Sequence, residues 1–176
     1  MIMRPGQQLL LPANSVFIWF SLFCALLLSA LMSTAVWGRA AWAPDILALT
    51  LVFWCVHQPM RVGVGVAFLF GLAMDVQQGA LLGQHALAYT ALAFLAVSMH
   101  RRLLWFDVAT QMVQLLPLLL VSHLLQLLVR LISGSSFPGW ALFLSPLLEG
   151  ILWPIVTLLL LAPQRRAPDP DDNRPI

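Results

Sequence analysis

The chain contains no lysine: all of its basic residues are arginines, and charged side chains make up only 9% of its 176 residues. A soluble domain carries about 25% charged residues. A net charge of +2, spread thinly, excludes the basic patch that a nucleic-acid-binding surface needs. Cysteine is nearly absent too. Cys24 and Cys55 both fall inside apolar runs, have no CxxC spacing and have no histidine at ligand spacing, so they read as two buried thiols rather than a disulfide or metal site. There is one glutamate, Glu149, and one tyrosine, Tyr89. Also missing are HExxH, P-loop and GxGxxG patterns, any Ser/His/Asp or Cys/His arrangement, carboxylates paired at catalytic spacing, and a polar domain to hold a cofactor. The composition therefore argues against an enzyme, and no cofactor or metal is expected.

What is present is apolar sequence, 61% of the chain, with a mean hydropathy of +0.90. A chain this size cannot hide that much apolar surface inside a water-facing globule. It reads as an all-α polytopic membrane protein, a bundle of six transmembrane helices. Residues 1–15 form a short polar lead with Arg4 and breakers at Pro5, Pro12 and Asn14. The spans are expected at about 16–37, 44–58, 62–76, 81–99, 108–132 and 140–162, followed by a proline-rich tail over 163–176 expected to be disordered. The first apolar run, about 22 residues, is longer than a cleavable signal core of roughly 7–15. Within this plan Pro44 sits in a first helical turn and Asp45 complements the positive helix end. His100-Arg101-Arg102 stops span four, and Ser145-Pro146 forms a cap and first turn, with Trp140–Leu144 either an interfacial helix or the start of span six. Spans two and three are about 14–17 residues each, at the lower limit for crossing: they are either short spans in thinned or shielded surroundings or a helical hairpin that does not fully cross, and the arginine count favours spans.

Arginine placement supports six crossings. One side would hold Arg4, Arg61, Arg101, Arg102, Arg165, Arg166 and Arg174, and the other only Arg39 and Arg130. That asymmetry places both termini in the cytoplasm. It also gathers Asp45, Asp75 and Glu149 at the outer helix ends. Asp45, Asp75, His85, Arg39 and Arg130 form the candidate polar cluster, either a ligand or proton site or an interhelical clamp. Asp75 is the telling member, because an acid at the C-terminal end of a helix opposes the dipole and needs another source of stabilisation. Gly63 and Gly71, eight apart on one face of span three, are expected to allow close helix packing. Gly79 and Gly83 are expected to permit a tight corner between spans three and four. His123, with Ser122, Gln126 and Gln114, gives span five a polar stripe that lines either a helix interface or a small cavity, with an interface hydrogen bond the favoured reading. His57 and His100 sit at the cytoplasmic border. Pro154 is expected to loosen span six near Gly150.

Several of these pieces together resemble the rod shape-determining protein MreD family: Pro44-Asp45, the basic turn ending at Arg61, Gly71-Leu72-Ala73-Met74-Asp75, Gly79, Leu82-Gly83, Ala86-Leu87 and the late Leu152-Trp153-Pro154. The resemblance covers nearly the whole chain, and the joint spacing of Pro-Asp and Gly-x-x-x-Asp-x-x-x-Gly-x-x-x-Gly is its strongest part. It implies a non-enzymatic component of the bacterial inner membrane that serves rod cell shape and lateral peptidoglycan synthesis. The implied partners are MreC, the actin-like MreB, RodA and a penicillin-binding transpeptidase, with lipid around the bundle. It also implies a fold similar to the substrate-binding membrane subunits of energy-coupling-factor transporters. Beside the scaffold stand two alternatives: a small-molecule binding or transport subunit with an outward-facing pocket, and a lipid-handling protein.

Overall fold

The computed structural model describes residues 14–33 and 42–164. Arg39, and the arginines of the two terminal segments, lie outside the described residues. Six α-helices follow in order: α1 Ser15–Leu31, α2 Ile46–His57, α3 Val64–Gln78, α4 Gln84–Leu103, α5 Val108–Ile132 and α6 Leu144–Leu161. A 3-10 turn, Trp140–Phe143, leads into α6. The described residues contain no strand.

The helices differ in length for reasons that their sequences show. α5 has 25 residues, and α6 with its flanking turns covers Trp140–Gln164; these two are long and apolar enough to cross a membrane. α2 has only 12 residues, which at about 1.5 Å each is well short of a hydrocarbon core of about 30 Å. It is apolar on every side, and every residue from Leu47 to Val56 is buried. A helix that is apolar all round belongs in an interior. α2 is accordingly the central rod of the bundle, wrapped by α1, α4 and α6.

The core is built on this rod. Trp54, Phe53 and Leu51 of α2 pack with Ile18 and Leu22 of α1, Leu92 of α4, Leu115 of α5 and Trp153 of α6. The buried Trp54 indole N–H donates to Ser21 Oγ at 2.8 Å, so the large ring enters the core without an orphaned donor. Trp153 donates to Gln111 Oε1 at 3.2 Å, and the Gln111 amide in turn donates to the Phe106 carbonyl, which ties α6 to the start of α5. α6 continues through Pro154 as regular helix. Its outward stripe, Leu147, Ile151, Ile155 and Leu158, is exposed and apolar, as are Val16, Phe20, Phe23 and Leu27 of α1. Apolar faces this large suit lipid and not water.

Four local expectations need correction. Pro44 precedes α2, whose N-cap is Asp45. α4 runs through His100-Arg101-Arg102 to Leu103; basic residues in a last turn complement the helix dipole rather than break the helix. α6 starts at Leu144, and Ser145 uses its hydroxyl on Ala43 and Glu149 instead of capping the helix. Cys24 is exposed on α1, while Cys55 is buried. At the arginine-bearing end, Thr110 donates to the exposed Asp107 at 2.6 Å and holds its carboxyl below the usual range.

The glycines of α3 do not share one role. Gly63 caps α3 outside its first turn, and a Cβ there would meet only the Pro59 carbonyl at 3.7 Å, so its expected packing role with Gly71 is not realised. Gly71 is the contact point. A Cβ there would lie 2.4 Å from Ala86 Cα and 2.8 Å from the His85 carbonyl. Gly71→Ala should therefore separate α3 from α4 and lower stability by about 1–3 kcal/mol. Gly65→Ala, which meets nothing within 4 Å, should be neutral or slightly stabilising. Thermal unfolding of both variants in mild detergent checks the contrast.

Candidate functional site: a buried acid network and the cavity beside it

The α3–α4 corner is made by two left-handed glycines, Gly79 (φ 58°) and Gly83 (φ 101°). Ala80 N–H bonds back to the Asp75 carbonyl at 3.0 Å, closing the end of α3. Gly83 sits at the N-cap of α4 and has no side chain to cap it. Asp75 supplies the missing cap from the neighbouring helix. Its Oδ2 accepts Gly83 N–H at 2.8 Å and Ala86 N–H at 3.3 Å, and its Oδ1 accepts His85 N–H at 2.8 Å. His85 Nδ1 lies 2.8 Å from the same Oδ1. With backbone donors on both oxygens of Asp75, His85 Nδ1 is placed to add a fourth hydrogen bond to it. Asp75 is fully buried, and it is the positive end of α4, not of its own helix, that stabilises it.

Asp45 does the same for α2 locally: its Oδ1 accepts Ala48 N–H at 3.1 Å. Its Oδ2 accepts the Tyr89 hydroxyl of α4 in a short hydrogen bond. Tyr89 in turn sets its ring edge-on to His85, with centroids 5.9 Å apart. Glu149 of α6 completes the network. It is fully buried, and its Oε1 accepts Asp45 N–H at 2.9 Å and lies 2.9 Å from His123 Nε2 and 3.0 Å from Ser145 Oγ. Ser145 Oγ also reaches the Ala43 carbonyl at 2.8 Å. Glu149 Oε2 and His123 Nδ1 are buried without partners. The chain from Asp75 through His85, Tyr89 and Asp45 to Glu149 links α2, α3, α4 and α6, and His123 adds α5.

The expected cluster is thus partly assembled. Asp45, Asp75 and His85 come together. Arg130 lies exposed on the wall of the adjoining cavity and forms no ion pair among the described residues, so it does not clamp the acids as expected. The expected interface bond of His123 is present, with Glu149 as its partner. Glu149, Tyr89 and Ser145 were not in the predicted cluster. Two signals pointed to them: the only glutamate and the only tyrosine of an apolar chain, and the one-turn spacing of Ser145 and Glu149.

The trio Ser145, His123 and Glu149 does not have the geometry of a nucleophilic triad. There the histidine bridges hydroxyl and acid; here the histidine and the serine both turn to one glutamate oxygen. Among the described residues no three His, Cys, Asp or Glu side chains gather as a metal site. Beside the network lies a cavity of about 590 Å³, reaching from Ser29 of α1 to Gln126 and Arg130 of α5.

Because Asp75 meets four donors, an asparagine there would turn an N–H group toward other N–H groups. Asp75→Asn should cost about 3 kcal/mol. Asp45→Asn should cost less, about 1–2 kcal/mol, since asparagine keeps the helix cap but loses the second oxygen, which accepts the Tyr89 hydroxyl. Comparing the unfolding midpoints of the two variants tests this order.

Comparison with known proteins shows the family. The family described as rod shape-determining protein MreD matches residues 13–162. The Rod shape-determining protein MreD of Haemophilus influenzae is 29% identical over 157 residues, covering 84% of this chain and 93% of that protein. No solved structure matches. A match that spans all six helices, including the Asp45, Asp75 and Trp153 elements, places this chain in the MreD family of rod shape-determining proteins.

Proposed function

We propose that the chain is a non-enzymatic scaffold of the bacterial cell-elongation machinery, a multi-pass inner-membrane protein that holds an MreC-like single-span partner. The observation that carries this reading is the family match over residues 13–162. The chemistry of the bundle supports it. Hydrogen bonds among Asp45, Asp75, His85, Tyr89 and Glu149 join the helices at the acid-bearing end, and the apolar faces of α1 and α6 point outward where another helix can lie. Through MreC the chain would stand beside MreB, RodA and a penicillin-binding transpeptidase in lateral peptidoglycan synthesis. Six crossings with both termini cytoplasmic follow from the arginine asymmetry. The described arginines fit: Arg61, Arg101 and Arg102 lie at the end of the bundle opposite Asp45 and Asp75, and Arg130 at the acid end. A likeness to energy-coupling-factor substrate-binding subunits belongs to the same proposal, supported by the six helices and by a cavity at one end.

Co-purification tests the partner. Extraction in mild detergent at native expression should bring an MreC-like protein down with this chain, and recovery of the chain alone would sink the scaffold reading. Reporters fused to either terminus should be active only on the cytoplasmic side.

A further inference from the structure

The cavity at the acid end has an electrostatic character that its acids conceal. Asp75 already meets four donors, Asp45 meets Ala48 N–H and the Tyr89 hydroxyl, and Glu149 lies behind the wall with its Oε1 engaged. The oxygens of Asp75 and Asp45 are thus engaged within the protein, while Glu149 Oε2 is buried away from the space without a partner. Arg130 is the opposite case. It lines the cavity, it is exposed, and it pairs with no acid among the described residues.

Two imidazoles stand on the same wall. His85 is only 5% exposed and gives Nδ1 to Asp75, while its Nε2 has no partner among the described residues. His123 is 7% exposed, gives Nε2 to Glu149 and has an unpartnered Nδ1. The amides of Gln77, Gln84 and Gln126 complete a hydrogen-bonding lining. Its volume of about 590 Å³ falls within the range of small-molecule sites, roughly 300–1,000 Å³.

We propose that this cavity binds a hydroxyl-bearing oxyanion, with Arg130 as its counter-charge and His85 and Gln126 as hydrogen-bonding partners. Arginine suits this role because its planar fork matches the oxygens of a phosphate or carboxylate. The oxyanion is either a soluble molecule or the head group of an anionic lipid. Binding at this site does not depend on the scaffold role, since the cavity walls belong to this chain alone.

The test uses the full chain in nanodiscs of phosphatidylcholine, with glycerol 3-phosphate as the soluble probe and phosphatidylglycerol, doped into the disc, as the lipid probe. Saturable binding of glycerol 3-phosphate assigns a soluble ligand, and binding of phosphatidylglycerol alone assigns a lipid head group. In either case Arg130→Gln should weaken binding by about tenfold or more, which is a loss expected from one charge-assisted contact, and leave the unfolding midpoint unchanged. Gln126→Leu should also weaken it. If neither probe binds, or if Arg130→Gln binds as wild type does, the proposal is overturned. Failure of MreC co-purification would leave these results untouched.

Discussion

A buried carboxylate in a membrane bundle is stable only where donors replace its lost hydration, and the placement of Asp75 follows from that constraint. Four donors converge on it, three from the backbone at the start of α4 and one from His85. For those donors to reach it, α3 and α4 must approach almost to backbone contact, which requires no side chain at position 71. The chain must also reverse within five residues, which requires left-handed backbone at 79 and 83. One charge thus explains three glycines. It also fixes the pose of His85, against which Tyr89 leans on its way to Asp45.

The same end of the molecule is joined across long stretches of chain. Tyr89 reaches Asp45, 44 residues away, and Glu149 reaches the Asp45 backbone, 104 residues away. These bonds lock the N-terminal ends of α2, α4 and α6 together. The opposite end has a different character. There the chain places Arg61, Arg101 and Arg102 and the exposed Met60 and Trp105, a mixture that suits a membrane surface. The bundle is therefore polar and cross-linked at one end, basic and aromatic at the other, and apolar around its girth.

This division of labour fits a shape-determining protein. The acids and histidines that would attract attention in an enzyme are spent on holding helices, and the serine, histidine and glutamate that meet do so in the wrong order for nucleophilic attack. What is left over is the cavity wall with Arg130 and two imidazole nitrogens, where the unmatched hydrogen-bonding capacity of the acid end collects.

The sequence by itself determined the class, the six helices and the special standing of Asp75. These depend on local physics: hydrophobic length, breakers, capping residues and the dipole of a single helix. Asp45 at the start of α2, the glycine corner and the α5 limits at 108 and 132 were all legible in this way. Only the tertiary structure decided which groups meet. Gly63 and Gly71 lie at helical spacing, yet only Gly71 faces a neighbour's backbone, because α3 starts after Gly63. Arg130 and Glu149 both lie at the acid-bearing end, yet Glu149 entered the network and Arg130 the cavity wall. Helical periodicity tells which residues share a face, but it does not tell which face of which helix comes next to it. That depends on how the other helices pack around α2, a property of the whole chain and not of any segment.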